Sequence, residues 1–100
     1  MRVVWAPRAV ARAVEIGKYI AADRPEAAVR WVQALFAAAA SLARHPRRGR
    51  KVPELDRPDV RQLQHGSHRL IYRIDPKRIV VLTVRHGRQA WDPQDIEPEA

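Results

Sequence analysis

The chain of 100 residues contains no cysteine, a single methionine and only six aromatic residues. The lack of cysteine excludes disulfide bonds, cysteine-ligated zinc and catalysis by a thiol. No apolar run approaches the roughly 20 residues that a membrane-spanning helix needs. The apolar cluster Val3-Val4-Trp5 is too short for the core of a signal peptide. We therefore expect one small cytoplasmic domain.

Lysine is also scarce, since only three of the 19 basic residues are lysines and the other 16 are arginines. The formal net charge is +8, and residues 1–91 alone carry +12 because four acidic residues and no basic ones follow them. Guanidinium groups hold phosphate or carboxylate with two parallel hydrogen bonds. The charge thus favours a polyanion or an acidic protein as partner. Residues 92–100 are predicted to form an acidic, frayed C-terminal tail.

The first half of the chain predicts a strand followed by two helices. The segment Arg2-Val3-Val4-Trp5 is β-branched and aromatic, as is typical of strands. Pro7 suits the first position of a helix. The next apolar residues recur in steps of three and four and predict a buried helix face. These residues are Val10, Ala13, Val14, Gly17 and Ile20.

A second helix is predicted over residues 24–44, with Asp23 capping its start and Glu26 completing a capping box. The linker between the helices is two or three residues long, which predicts an antiparallel helical hairpin. Residues 46–59 contain three prolines and a glycine, and they predict an irregular loop.

After this loop the apolar period changes to two, which predicts strands over residues 60–65, 68–74 and 79–85. The order β-α-α-β-β-β predicts an α+β fold. Its N-terminal strand would join a mainly antiparallel sheet, with the antiparallel helical hairpin packed on one face.

Alternation along these strands decides where three arginines lie. Arg69 and Arg73 alternate with the apolar residues of one strand, and Arg85 lies opposite the apolar face of the next. Because the hairpin can cover only one face of the sheet, we expect the other face to be an open surface that carries Arg69, Arg73 and Arg85.

Two groups of residues are candidates for chemistry. Of the four histidines, His45 and His65 are interpreted as structural, whereas His68 and His86 lie at the ends of arginine-rich strands. Nearby cations favour the neutral imidazole, which suits proton transfer during phosphodiester cleavage. The basic stretch around Arg48 is interpreted either as a solvated turn or as a phosphate-binding loop. No histidine spacing suggests a metal site.

Several short segments, taken together in order and spacing, resemble the RelE/ParE superfamily of toxins from bacterial type II toxin–antitoxin modules. The segments are Glu15-Ile16, Tyr19-Ile20, Pro25-Glu26-Ala27-Ala28, Leu42, Pro46, Gly49-Arg50, Val52-Pro53-Glu54-Leu55, Val60-Arg61-Gln62-Leu63, His68-Arg69-Leu70-Ile71-Tyr72-Arg73 and Val80-Val81-Leu82-Thr83-Val84-Arg85-His86-Gly87-Arg88. The resemblance covers about residues 3–91. It implies a single toxin domain over residues 1–91, with the tail at 92–100.

The resemblance implies two mechanisms. RelE-like members cleave mRNA in the ribosomal A site with basic residues of the sheet, whereas ParE-like members poison DNA gyrase and need no catalytic set. Arg69 and Arg88 match the RelE pattern, and His86 is a further candidate catalytic residue. Trp91 stands where many RelE-like nucleases keep a tyrosine, and a tryptophan side chain cannot give or take a proton in that role. This difference and the long second helix favour a growth-inhibiting toxin that acts on gyrase.

Two alternatives stay open, namely a ribosome-dependent mRNA endonuclease and a non-toxic nucleic-acid-binding module. The expected partners are an antitoxin with an acidic or amphipathic C-terminal segment and, as target, DNA gyrase or the ribosome with its mRNA. No cofactor, metal or membrane is expected. The apolar stripe of the helical hairpin is expected to hold an antitoxin helix. The candidate binding residues are Arg48, Arg50, Lys51, Arg61, Arg69, Arg73, Arg85 and Arg88.

Overall fold

A computed structural model describes residues 1–87, 89 and 95 of the chain. It has the predicted order of elements, with one short strand added. The elements are β1 (Arg2–Trp5), α1 (Pro7–Ala21), α2 (Pro25–Ser41), β2 (Arg50–Lys51), β3 (Val60–His65), β4 (His68–Ile74) and β5 (Arg78–His86). The α+β class predicted from periodicity is therefore confirmed.

The five strands form one sheet in the order β1-β5-β4-β3-β2. β1 runs parallel to β5, and the other three pairings are antiparallel. The sheet is thus mainly antiparallel, as predicted. In β5 the seven residues from Ile79 to Arg85 are all buried, which fits an apolar strand between two neighbours.

The predicted irregular loop over residues 46–59 contains the short strand β2, so the prediction is wrong there. Arg50 pairs with Gln62 and Lys51 with Arg61. A strand of two residues is too short to show an alternating apolar pattern, and both of its side chains are exposed.

The start of α2 also differs from the prediction. The residue that precedes the helix is Arg24, and it makes no side-chain capping bond. The predicted cap, Asp23, belongs to the end of α1 instead, because its backbone N–H donates to the carbonyl of Ile20. The helix ends at Ser41, three residues early, where the Ser41 hydroxyl donates to the Ala38 carbonyl at 2.6 Å.

The hydrophobic core lies between the helical hairpin and one face of the sheet. The largest fully buried side chains belong to α2, to the residue that follows it, to the strands, and to the loop between β2 and β3. They include Leu35, Leu42, Val52, Val60, Leu70, Ile71, Tyr72, Ile79, Leu82 and Val84. Trp5 and Trp31 pack against this core as partly buried residues. Within the described residues, no helix is long and apolar enough to cross a bilayer.

Candidate functional site

Arg69 of β4 and Arg85 of β5 lie opposite each other in register on one face of the sheet. Sequence alternation predicted that both arginines lie on one face but also predicted that this face is an open surface, which is wrong. The exposed fractions are only 6% for Arg69 and 8% for Arg85. Two buried cations this close repel each other unless each has a counter-ion.

A carboxylate from a distant part of the chain neutralises Arg69. Its guanidinium donates to both oxygens of Glu54, at 3.0 and 2.6 Å, and to the side-chain oxygen of Gln62 at 3.0 Å. Glu54 lies in the loop between β2 and β3. Arg69 is therefore part of the folded framework rather than an exposed anion site.

Arg85 is neutralised by Asp95, which is fully buried. The Asp95 carboxylate accepts from Arg85 at 2.6 Å and from Arg8 of α1 at 2.9 Å. The predicted frayed tail is thus wrong at Asp95, because this residue is held against arginines of two elements. The rest of the predicted tail, residues 92–94 and 96–100, lies outside the described residues.

Arg73 bonds within its own turn, since its guanidinium donates to both oxygens of Asp75 at 2.7 and 3.1 Å. Arg57 and Asp59 repeat the arrangement at 3.2 and 2.8 Å. These hydrogen bonds lower the pKa of Asp75 and of Asp59. The spacing Arg-x-Asp was visible in the sequence and could have indicated that Arg73 is paired.

Three histidines form a row across three strands. His65 pairs with His68, and His68 pairs with His86, so the three share one face. The rings of His68 and His86 lie 5.4 Å apart, and Trp31 of α2 lies 5.5 Å from the rings of His65 and His68. The structure therefore brings together the two candidate histidines, His68 and His86, and adds His65, which was interpreted as structural.

The environment of His68 favours its neutral form. Burial lowers the pKa of His68, and the neighbouring charges of His86 and His65 lower it further. Among the described residues, no cluster of histidine and acidic side chains is arranged to hold a metal ion. Arg69 follows His68 in the strand and therefore lies on the opposite face, away from His86. Arg88 and Trp91 lie outside the described residues.

Residues 44–51, here called the basic loop, connect α2 with the sheet and are fixed from the inside. The Tyr72 hydroxyl accepts a hydrogen bond from the Gly49 N–H at 2.9 Å and donates one to the Pro46 carbonyl at 2.7 Å. Arg61 donates to the Gly49 carbonyl at 3.0 Å. Arg61 therefore supports the loop, rather than presenting an exposed binding group.

The outer side of the basic loop is open and positively charged. Its basic side chains are all exposed, namely those of Arg44, Arg47, Arg48, Arg50 and Lys51. Arg47 and Arg48 line an open cavity of about 810 Å³ beside His45 and Ile74. Arg48 and Arg50 line a second cavity, of about 300 Å³, together with residues of β3. Three of the predicted binding residues, Arg48, Arg50 and Lys51, are thus exposed, and Arg48 and Arg50 line one cavity together.

The two helices form an apolar groove of about 300 Å³ on their outer side. Val10 and Val14, predicted to be buried, are instead 43% and 48% exposed along this groove. The stripe was recognised correctly, but small alanines of α1 contact the core and leave the larger valines outside. The groove is lined by Val10, Ala13, Val14, Gly17, Lys18, Ala21, Val32 and Phe36.

Comparison with known proteins agrees with this architecture. The sequence model of the family described as "ParE toxin of type II toxin-antitoxin system, parDE" matches residues 3–91. A curated protein of Sinorhizobium fredii named "Putative toxin Y4kP" is 36% identical over 95 residues, covering 90% of this chain and 92% of that protein.

Two solved structures share the fold. The chromosomal ParDE toxin–antitoxin system from P. aeruginosa contains a chain with a TM-score of 0.73 and 24% identity, and the match covers 86% of this chain and 95% of that chain. The toxin–antitoxin complex RelBE2 from Mycobacterium tuberculosis contains one with a TM-score of 0.62 and 25% identity, and the match covers 85% and 95% of the two chains.

Proposed function

Since this chain belongs to the ParE toxin family of type II toxin–antitoxin systems, we propose that it inhibits growth by poisoning DNA gyrase when it is free of its antitoxin. The observation that carries this proposal is the ion pair between Arg69 and Glu54. A nuclease of the RelE type would need Arg69 to stabilise charge on the RNA, and this guanidinium is already occupied. A gyrase poison needs no catalytic set and tolerates the ion pair.

The placement of the histidines adds support. Arg69 and His86 lie on opposite faces of the sheet, so they cannot act on the same phosphodiester bond. General acid–base catalysis requires that the proton-transferring group and the charge-stabilising group reach one reacting centre. The described residues lack such a convergence of Arg69 with His86.

Two assays on the purified chain test the proposal. Supercoiling and DNA cleavage by purified gyrase are measured with increasing amounts of the chain, and mRNA cleavage is measured on translating ribosomes. We expect accumulation of cleaved DNA with gyrase and intact mRNA on the ribosomes. The opposite pattern would replace gyrase by the ribosome as the target. Unimpaired growth on induced expression without antitoxin would contradict both.

The apolar groove between the helices is the proposed site for an amphipathic antitoxin segment. Its exposed lining is almost entirely apolar, and an amphipathic helix binds by laying its apolar face into such a groove. Acidic residues on the outer side of that segment would suit the net charge of +8. The likeness to chains from toxin–antitoxin complexes supports a partner of this kind.

One observation favours the endonuclease as second candidate. His68 and His86 lie edge to face, and burial favours the neutral form of His68, which is the form that can accept a proton, while His86 is exposed. In this mechanism His68 would remove the proton from an attacking 2′-hydroxyl, and His86 would protonate the leaving oxygen. The variant His86→Ala would then abolish mRNA cleavage, whereas a gyrase poison would keep its activity.

A further inference from the structure

We propose that the basic loop binds the phosphate backbone of a nucleic acid, at a surface separate from the apolar groove. This proposal does not depend on which target the toxin acts on. The groove shares no lining residue with either of the two cavities beside the basic loop. One chain can therefore hold a protein segment at the helices and a nucleic acid at the loop.

The first observation is that the positive charge of the basic loop has no counter-ion among the residues that the structure describes. Residues 44–51 contain five basic residues and no acidic one. Within the described part of the chain, every ion pair of an arginine side chain lies outside this loop. The arginines of the sheet face are neutralised, whereas those of the loop are left for an external anion.

The second observation is that the loop backbone is held in place before any ligand binds. Tyr72 bonds to the backbone on both sides of residues 47–48, and Arg61 holds Gly49. A side chain at position 49 is excluded, because a Cβ there would lie 2.6 Å from the Gln62 carbonyl oxygen. Fixing the loop in advance lowers the entropy lost on binding.

The third observation is the arrangement of the arginines around the cavities. Arg48 lines both cavities, and its guanidinium is oriented by a hydrogen bond to the Ser41 hydroxyl at 2.8 Å. Arg47 and Arg50 flank it on either side. Successive cations along one surface suit the successive phosphates of a backbone, which arginine contacts without reading the bases.

An acidic protein segment fits the cavity between Arg48 and Arg50 less well than a nucleic acid. A segment that folds on binding needs apolar surface to offset the loss of chain entropy. The cavity between Arg48 and Arg50 has only one apolar side chain in its lining, that of Leu63. Phosphate groups need charge and hydrogen-bond donors, and arginine provides both.

The test measures binding of the purified chain to a DNA duplex of about 20 base pairs and to single-stranded RNA of similar length, as a function of salt. The variant Arg48→Gln/Arg50→Gln removes two loop charges. The matched control Arg24→Gln/Arg30→Gln removes two exposed charges of the helical hairpin. Thermal melting of all three proteins checks that the fold is retained.

We expect the loop variant to bind at least one of these nucleic acids about tenfold or more weakly at about 0.1 M salt. The slope of log K against log salt should decrease by about two, one for each lost phosphate contact. The control variant should bind within about threefold of the unchanged protein, since Arg24 and Arg30 lie toward the start of α2, whereas the basic loop follows the end of that helix. If the unchanged protein binds only the DNA duplex or only the single-stranded RNA, that result identifies which backbone the loop prefers.

Each of the following results would overturn the proposal. One is an equal loss in both variants, which would mean that net charge alone attracts the nucleic acid. Another is binding by the unchanged protein that does not weaken with salt, or no binding at all. The third is loop-dependent binding of a polyglutamate peptide without loop-dependent binding of either nucleic acid, which would make the surface a protein site.

Discussion

Arg69 and Glu54 form a two-pronged ion pair that joins strand β4 to the loop before β3, with nitrogen–oxygen distances of 3.0 and 2.6 Å. The Arg69 side chain is 7% exposed and that of Glu54 is 39% exposed. Solvent therefore screens one partner but not the other. The pair links a buried cation to the protein surface.

Removal of the carboxylate should destabilise the fold because it leaves the Arg69 charge buried without its main counter-ion. We expect Glu54→Gln to lower the free energy of unfolding by about 1–2 kcal/mol, less than the 3–5 of a fully buried pair because Glu54 is partly exposed. Urea unfolding measures this change. The control Glu15→Gln alters an exposed residue and should change stability by less than about 0.5 kcal/mol.

A double-mutant cycle isolates the pair itself. Arg69→Gln combined with Glu54→Gln should cost less than the sum of the single variants, because each single variant leaves one charge without its partner and the double variant leaves none. Strict additivity of the two changes would contradict the ion pair.

Tyr72→Phe should destabilise the fold by about 1–3 kcal/mol, since it leaves the Gly49 N–H and the Pro46 carbonyl without their partner. The control is Tyr19→Phe, because Tyr19 is 82% exposed. Urea denaturation of both variants makes the comparison. If the two lose stability equally, Tyr72 does not hold the basic loop.

The sequence predicted the strands well where one face of the sheet is covered by helices. Strands β3 and β4 have the predicted ends, because alternation of apolar and polar residues records burial of one face. β1 also has the predicted ends, because its residues are β-branched and aromatic. The same alternation placed Arg69 and Arg85 on the other face but said nothing about what neutralises them. Their counter-ions, Glu54 and Asp95, lie in segments without periodicity, 15 and 10 residues away.

The candidate site was predicted only in part, for a related physical reason. An exposed arginine and an ion-paired arginine look the same in a sequence unless the acid follows at close spacing, as Asp75 follows Arg73. The basic loop was recognisable from composition, since no acid lies within it. Its fixation by Tyr72 was not, because a hydrogen bond across 23 residues depends on tertiary structure.

Stability should decrease as the pH falls below about 6.5, because of His68. Its pKa in the folded state is lowered from 6.5 by burial and by His86 and His65, so the unfolded chain binds a proton more readily than the folded one. The stabilisation from neutral His68 is fully present above the pKa of this histidine in the unfolded chain. It is lost as the pH falls toward the lower pKa of His68 in the folded protein. The melting temperature at pH values from about 8 to 5 measures it.

The variant His68→Gln should flatten this pH dependence, whereas His45→Gln, at an exposed histidine, should leave it unchanged. The paired carboxylates do not interfere, because the pKa values of Asp59 and Asp75 are lowered from 3.8 and their contribution is lost only at more acidic pH. A melting temperature of the His68→Gln variant that falls as steeply as that of the unchanged protein would assign the effect to another group.

Binding of the antitoxin segment to the groove between the helices should weaken when one apolar side chain of the groove is replaced by a charged one. Val14 lines the groove and is 48% exposed, whereas Val29 is 56% exposed and is not part of the lining. Val14→Asp buries a carboxylate under the antitoxin segment and should weaken binding of the cognate antitoxin about 100-fold or more, as measured by calorimetry. Val29→Asp adds the same charge on the neighbouring helix and should bind within about threefold of the unchanged protein.

In cells, Val14→Asp should inhibit growth even when the antitoxin is co-expressed, because neutralisation fails while the toxin stays folded. If both aspartate variants are neutralised equally, the antitoxin binds elsewhere on the chain.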